Sequence, residues 1–152
     1  MRTRLRGQKA VYHHGDLKRG LMDAAMTLID VRGRHALTLR EAARRAGVSE
    51  AAPYRHFANL DELLGAVALE GYEMLISDLD AVGSARALKD TYLGFANDFP
   101  GRYELMFGRF GDRKSATKRK HMIARLADIT ERAGGLAALH GEASLRISGL
   151  SV

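Results

Sequence analysis

Residues 38–57 read TLREAARRAGVSEAAPYRHF, and the rest of the chain is arranged around this stretch. Thr38 and Glu41 have the spacing of a capping box, which starts a helix by satisfying its first free N–H groups. Gly47 has the position of a left-handed residue that ends a helix. Ser49 then stands where an N-cap would begin a second short helix. The stretch therefore predicts two short helices joined by a glycine turn.

Two interpretations are open for such a pair of helices. It can be an αα-hairpin packed in a helical core, or a helix-turn-helix, whose second helix enters the major groove of DNA. The second predicted helix, residues 50–57, carries Tyr54, Arg55 and His56, whose polar tips suit a surface. This placement favours the helix-turn-helix.

The same stretch resembles the DNA-reading motif of the TetR (tetracycline-repressor) family of bacterial transcription regulators. The resemblance continues through YHHGDLKRGLMDAAMTLIDVRG at residues 12–33 and FANLDELLGAVALEGYEML at residues 57–75. The YHHGDL lead-in is typical of one branch of the family. The resemblance implies an all-α fold, in which an N-terminal three-helix bundle with the helix-turn-helix is joined by a long helix to a small helical regulatory and dimerisation domain.

Apolar spacing along the chain predicts helices in the same places. Outside the motif they are expected over about residues 16–32, 59–82, 85–99, 100–107, 122–133 and 136–150. We divide the chain into a basic arm at residues 1–14, a DNA-binding domain at 15–75 with its motif at 38–57, and an effector-binding and dimerisation domain at 76–152.

The charge is distributed unevenly between the two halves. Residues 1–57 hold 12 Lys or Arg against 5 Asp or Glu, whereas residues 58–152 hold 12 against 13. A basic first half favours a polyanionic partner for that half alone. The chain has no cysteine and no apolar run near the ~18 residues of a membrane span, so we expect a cytoplasmic protein with no membrane partner.

The first residues offer two weaker signals. His13, His14 and Asp16 look like metal ligands, but they lack a helical i, i+4 pair, so no metal and no cofactor is expected. The cations of the arm have no helical periodicity and suit either DNA phosphates or a disordered tail: Arg2, Arg4, Arg6 and Lys9.

The resemblance also implies roles for individual residues in DNA binding. Hydroxyl, phenol and imidazole groups are expected at phosphates, small apolar side chains at base edges, and two arginines at guanines. The predicted phosphate contacts are Thr38, Ser49, Tyr54 and His56, the base-edge residues are Ala51, Ala52 and Pro53, and the guanine readers are Arg40 and Arg55.

Pro53 departs from the family pattern. If Ser49 caps the helix, a proline at this position removes one hydrogen bond to the Ser49 carbonyl. It also disfavours helical geometry at Ala52. The recognition helix is therefore expected to be bent or to start late.

Aromatic residues and methionine concentrate in FANDFPGRYELMFGRF at residues 95–110. Such residues suit a helical core, and they also suit the wall of a pocket for a hydrophobic effector. The candidate pocket residues are Tyr92, Phe95, Phe99, Tyr103, Met106 and Phe107.

Residues 109–120 are strongly basic, and we interpret them as a solvated loop and helix start. A second DNA contact or a site for an acidic effector are the alternatives. Cations are unfavourable at a helix N-terminus, so this helix is expected to begin later than its pattern suggests. The resemblance thins beyond residue 110, and the family's final helix is not recognisable.

The leading hypothesis is a sequence-specific transcriptional regulator that binds a near-palindromic duplex as a homodimer. It would be a repressor released by a small-molecule effector. The alternative is a DNA-binding helix-turn-helix protein without effector control, either constitutive or architectural. An enzyme is not expected, because the sequence offers no convincing nucleophile–base pair or paired carboxylates.

Overall fold

The computed structural model describes residues 16–149, so the predictions for the arm at 1–14, with His13 and His14, lie outside the described part. Within that part the prediction of an all-α fold is confirmed, since it contains helices and no strand. The α-helices are α1 (Leu17–Arg32), α2 (Leu39–Ala46), α3 (Leu60–Asp80), α4 (Ala85–Asp98), α5 (Pro100–Phe107), α6 (Arg113–Thr130) and α7 (Leu136–Ile147). Single 3-10 turns occupy Arg34–Ala36, Ala52–Arg55 and Glu131–Ala133.

Local signals set most helix ends where the sequence predicts them. The side chains of Asp16, Thr38 and Asn59 accept backbone N–H groups at 2.9, 3.0 and 3.0 Å and so cap α1, α2 and α3. Gly33 ends α1 and Gly47 ends α2, both with positive φ. None of the α-helices among residues 16–149 is long and apolar enough to cross a membrane.

One helix start differs from the prediction. Helix α6 begins at Arg113, earlier than the basic character of this segment suggests. The reason is Asp112, whose carboxylate accepts the N–H of Ser115 at 2.8 Å and places a negative charge at the helix N-terminus. The cations of the first turn are therefore tolerated.

The long helix α3 contributes to two hydrophobic cores. Its first half, including Leu63 and Leu64, packs with α1 and α2, and its second half, including Tyr72 and Leu75, packs with α4 to α7. The two cores meet along α3 between Ala68 and Tyr72. This helix consequently connects the helix-turn-helix to the rest of the described chain.

Helices α1 and α5 meet at a buried ion pair that the sequence does not predict. Arg102 is only 6% exposed and pairs with Asp30. Its guanidinium also donates to the sulfur of Met74 at 2.9 Å and lies 4.8 Å from the ring centroid of Phe99. Burial raises the pKa of the Asp30 carboxyl, and Arg102 offsets only part of that rise. The pair thus joins α1, α3 and α5, and Arg102 does not fully offset the desolvation of Asp30.

Candidate nucleic-acid interface

The first half of the motif forms as the sequence predicts. Leu39, Ala42 and Ala43 are buried in the first core and hold α2 against α1. Gly47 adopts φ 71° and ψ 28°, the left-handed conformation that a side chain would strain. The N–H of Val48 donates to the carbonyl of Ala43 at 3.0 Å, which closes the corner after α2.

The second half of the motif is a single 3-10 turn, Ala52–Arg55, so the predicted helix over residues 50–57 is wrong in type and length. Ser49 makes no side-chain cap; its carbonyl instead accepts the N–H of Ala52 at 3.0 Å. Pro53 explains the difference, because it has no N–H with which to extend a helix from Ser49. Ala52 nevertheless lies inside the 3-10 turn, so the expected loss of helical geometry at Ala52 is not observed. The recognition helix was expected to be bent or to start late, and in the structure it is reduced to this short turn.

Seven of the nine predicted DNA-contacting residues lie between Ser49 and His56, in this turn or directly before and after it, whereas Thr38 and Arg40 lie at the start of α2. Tyr54 is 63% exposed, which is rare for a large hydrophobic side chain among residues 16–149, and Ala52 is partly exposed. Pro53 is buried, so its predicted base-edge role is wrong; the turn points its ring inward. The remaining predicted residues are exposed: Thr38, Arg40, Ser49, Ala51, Arg55 and His56.

Two ion pairs on this surface were missed by reasoning from the sequence. Glu50 pairs with Arg40 at 3.0 Å, and both side chains are largely exposed. Glu41 pairs with Arg44, whose hydrogen bond lowers the pKa of that carboxyl. Exposed ion pairs of this kind contribute little stability, so a phosphate can compete for the arginines. The i, i+3 spacing of Glu41 and Arg44 on α2 was the available signal.

Comparison with known proteins identifies this region. Residues 21–67 match the family model described as bacterial regulatory proteins, tetR family. An HTH-type transcriptional regulator of Mycobacterium tuberculosis, itself uncharacterized, is 30% identical over 103 residues. The chain carries the helix-turn-helix domain of the TetR family.

The similarity to known proteins extends beyond this TetR-type domain. The mycobacterial match covers 62% of this chain and 47% of the relative, so the chain spans about half the length of that protein. A structure of a protein of unknown function from Rhodococcus sp. RHA1 is 29% identical, covers 93% of this chain and 88% of its own, and has a TM-score of 0.69. A possible TetR family transcriptional regulator from Streptomyces coelicolor shares the fold, at TM-score 0.52, 21% identity, and 86% and 67% coverage.

A second candidate site lies away from the TetR-type domain, in a cavity of about 240 Å³ between α5 and α7. Only Tyr103 and Phe107 of the six predicted pocket residues line it. The others are wrong as cavity residues: Tyr92, Phe95 and Met106 are buried in the second core, and Phe99 packs beside Arg102. The lining that the sequence did not predict comprises Glu104, His140, Ser144, Ile147 and Ser148.

A chain of hydrogen bonds leads from the core to this cavity. The hydroxyl groups of Tyr92 and Tyr103 are 2.9 Å apart, and the Tyr103 hydroxyl is 2.6 Å from Nδ1 of His140. Burial raises the pKa of Tyr103 to about 12, so its hydroxyl stays protonated and can donate to a neutral imidazole. Burial lowers the pKa of His140, which favours that neutral form.

The lowered pKa predicts a pH dependence of folding that is specific to His140. Relative to an unfolded chain with a histidine pKa near 6.5, the folded state resists protonation, so stability is lost as pH falls below about 6.5 and levels off below the folded pKa. We expect the urea midpoint of the wild type to drop between pH 7.5 and 5.5 by more than that of His140→Gln, whose amide oxygen can still accept from Tyr103. Equal drops would show that His140 is not the responsible group.

Proposed function

We propose that this protein is a sequence-specific, DNA-binding transcriptional regulator that acts in the cytoplasm as a homodimer. The observation that carries the proposal is the exposed tip of the TetR-type domain, where Tyr54, Arg55 and His56 project from the turn after Gly47. The basic excess of residues 1–57 supports a polyanionic partner at the same end of the chain.

In the proposed complex, the 3-10 turn enters the major groove. Tyr54 and His56 donate hydrogen bonds to phosphates on either side, and Arg55 reaches a guanine edge. Arg40 also reaches a guanine edge, once it has left its ion pair with Glu50. The carboxylate of Glu50 then repels phosphates that come close to it. The exposed methyl group of Ala51 meets a thymine methyl group.

We further infer a repressor whose operator affinity is lowered by a small molecule bound between α5 and α7. The cavity of about 240 Å³ is smaller than the ~300–1,000 Å³ of pockets for drug-sized ligands, so the effector would be a compact molecule that can accept or donate one hydrogen bond at His140. Helix α5 lines the cavity and also contacts α1 through Arg102 and Asp30. A ligand that favours one position of α5 would thereby bias the TetR-type domain.

A DNA-binding protein without effector control is the second candidate. It is favoured by the four predicted pocket residues that are packed in the core or against Arg102 rather than open to a ligand. A thermal-shift screen with small aromatic and aliphatic compounds separates the two. A compound that raises the melting temperature, and does so less after Phe107→Ala, supports effector control. If no compound acts, the unregulated alternative is favoured.

The DNA-binding proposal predicts distinct effects for the residues of the tip. A duplex selected from a random pool is bound by the wild type, and fluorescence anisotropy then measures each variant. We expect Tyr54→Phe and His56→Ala each to weaken binding about tenfold for every duplex, because phosphate contacts carry no sequence information. Arg55→Ala should instead cost about 1–3 kcal/mol on the selected duplex and relax the preference at one base pair.

The matched control for Arg55→Ala is Arg86→Ala, which also removes an exposed charge, but from the first turn of α4. It should leave the affinity unchanged. A folded wild-type protein that binds no duplex at low salt would disprove the proposed function.

A further inference from the structure

The loop between α5 and α6, residues 108–112, is attached to the TetR-type domain. The N–H of Gly111 donates to the carboxylate of Asp61, in the first turn of α3, at 2.8 Å. The ring of Phe110 packs against the first core, and the guanidinium of Arg34 lies 4.6 Å from its centroid. These contacts join the loop both to the start of α3 and to the 3-10 turn that precedes α2.

The loop is also held rigidly from its other side. Arg119 donates to the carbonyls of Gly108 and Phe110 at 2.9 and 3.1 Å. Gly65 of α3 leaves so little space that a Cβ there would lie 2.6 Å from the Cα of Gly111. The position of the loop relative to the helix-turn-helix is therefore fixed by the fold.

Three exposed cations lie in this loop or directly after it, and we call them the loop cations: Arg109, Arg113 and Lys114. Within residues 16–149 none of them forms an ion pair with a carboxylate, in contrast to Arg40 and Arg44 on the motif. Two of the three occupy the first turn of α6, where a positive charge opposes the helix dipole. The Asp112 carboxylate offsets part of this cost, and the part that remains is of a kind typical of binding sites.

The loop cations lie near the proposed DNA-contacting tip. His56 and Asp61, the loop's anchor on α3, are only five positions apart in the chain, and such a segment spans at most about 18 Å. One helical turn of DNA is about 34–36 Å long, so a duplex seated on the tip presents further phosphates over this distance. Long arginine and lysine side chains at the loop are suited to reach them.

We propose that the loop cations form a second phosphate-binding surface, through which the part of the chain beyond the helix-turn-helix contacts the DNA backbone. This inference rests on the proposed function. It predicts a contribution to affinity and to its salt dependence that carries no sequence preference, because phosphates are the same in every duplex.

The test compares Arg113→Gln/Lys114→Gln with Arg86→Gln/Arg132→Gln, which also removes two exposed positive charges but at positions remote from the loop. Binding of a fluorescein-labelled duplex, selected from a random pool by the wild type, is measured by anisotropy between 50 and 200 mM NaCl. If each subunit of a dimer loses one phosphate contact, the slope of log K against log salt falls by about 1.8 in magnitude for the loop variant. The remote variant should keep the wild-type slope.

The outcomes separate this inference from the function on which it rests. A wild type that binds the duplex, together with an unchanged slope for the loop variant, overturns the second surface and leaves the DNA-binding proposal standing. Equal losses in both variants would mean a general effect of net charge and would also overturn it. A wild type indifferent to every duplex refutes both. Selection repeated with the loop variant should recover the same sequence, since base reading belongs to the tip.

Discussion

Arg102→Ala is expected to lower the free energy of unfolding by about 3–5 kcal/mol, because it leaves the carboxylate of Asp30 buried without its partner. The same variant removes the donor to Met74 and opens a space between α1 and α5. Asp30→Ala should cost a comparable amount, since a guanidinium that is 6% exposed then lacks its counter-charge. Urea denaturation followed by circular dichroism measures both.

The double variant Asp30→Leu/Arg102→Met tests whether the stability losses of the two single variants come from leaving one charge without its partner. It removes both charges and keeps apolar volume at the junction, so we expect a stability within about 1–2 kcal/mol of the wild type. The raised pKa of Asp30 is the reason, since it shows that desolvation outweighs the attraction of Arg102. If the double variant instead loses the sum of the two single losses, the two residues do not act as a buried pair.

The parts of this fold that the sequence predicts are those that depend on residues close together in the chain. Asp16, Thr38, Asn59 and Ser84 each cap a helix through an N–H only three residues away. Such a bond depends on local sequence alone, so these four helix starts can be read directly. Asp112 caps α6 in the same way, but its start was misjudged because the basic residues that follow were given more weight. Gly47 is predictable for the same reason, because the left-handed conformation at a helix end favours glycine.

The second half of the motif shows where two local signals compete. Ser49 is a good N-cap by residue type, yet its side chain caps nothing because the helix it would start does not form. Pro53 decides the outcome, because it has no N–H to donate to the Ser49 carbonyl. The sequence contained both signals. The family resemblance favoured the longer helix, whereas the proline permits only the short 3-10 turn.

Other features depend on contacts between distant parts of the chain. An arginine such as Arg102 is normally exposed, and only its pairing with a residue 72 positions earlier places it in the interior. The cavity depends in the same way on α7, which brings His140 against Tyr103 and Phe107. An apolar cluster in a sequence identifies core material but not which of its faces stays uncovered.

Gly65→Ala is the second substitution with a large expected effect, because α3 and the loop before α6 approach each other at this residue. A Cβ at Gly65 would lie 2.6 Å from the Cα of Gly111 and 3.0 Å from its nitrogen, and both are backbone atoms that cannot move aside as a side chain can. We expect a loss of about 1–3 kcal/mol in the free energy of unfolding from this overpacking. Displacement of the loop should also weaken the hydrogen bond between Gly111 and Asp61.

Gly94→Ala is the matched control, since Gly94 lies within α4 and a Cβ there would meet nothing within 4 Å. Both substitutions replace a helical glycine and gain the same ~0.5–1 kcal/mol of helix propensity, so the difference between them isolates the clash. Gly94→Ala should therefore unfold at higher urea than the wild type and Gly65→Ala at lower urea. If the two variants proved equally stable, the close approach of α3 to the loop would be disproved, and with it the rigid placement of Arg109, Arg113 and Lys114 beside the TetR-type domain.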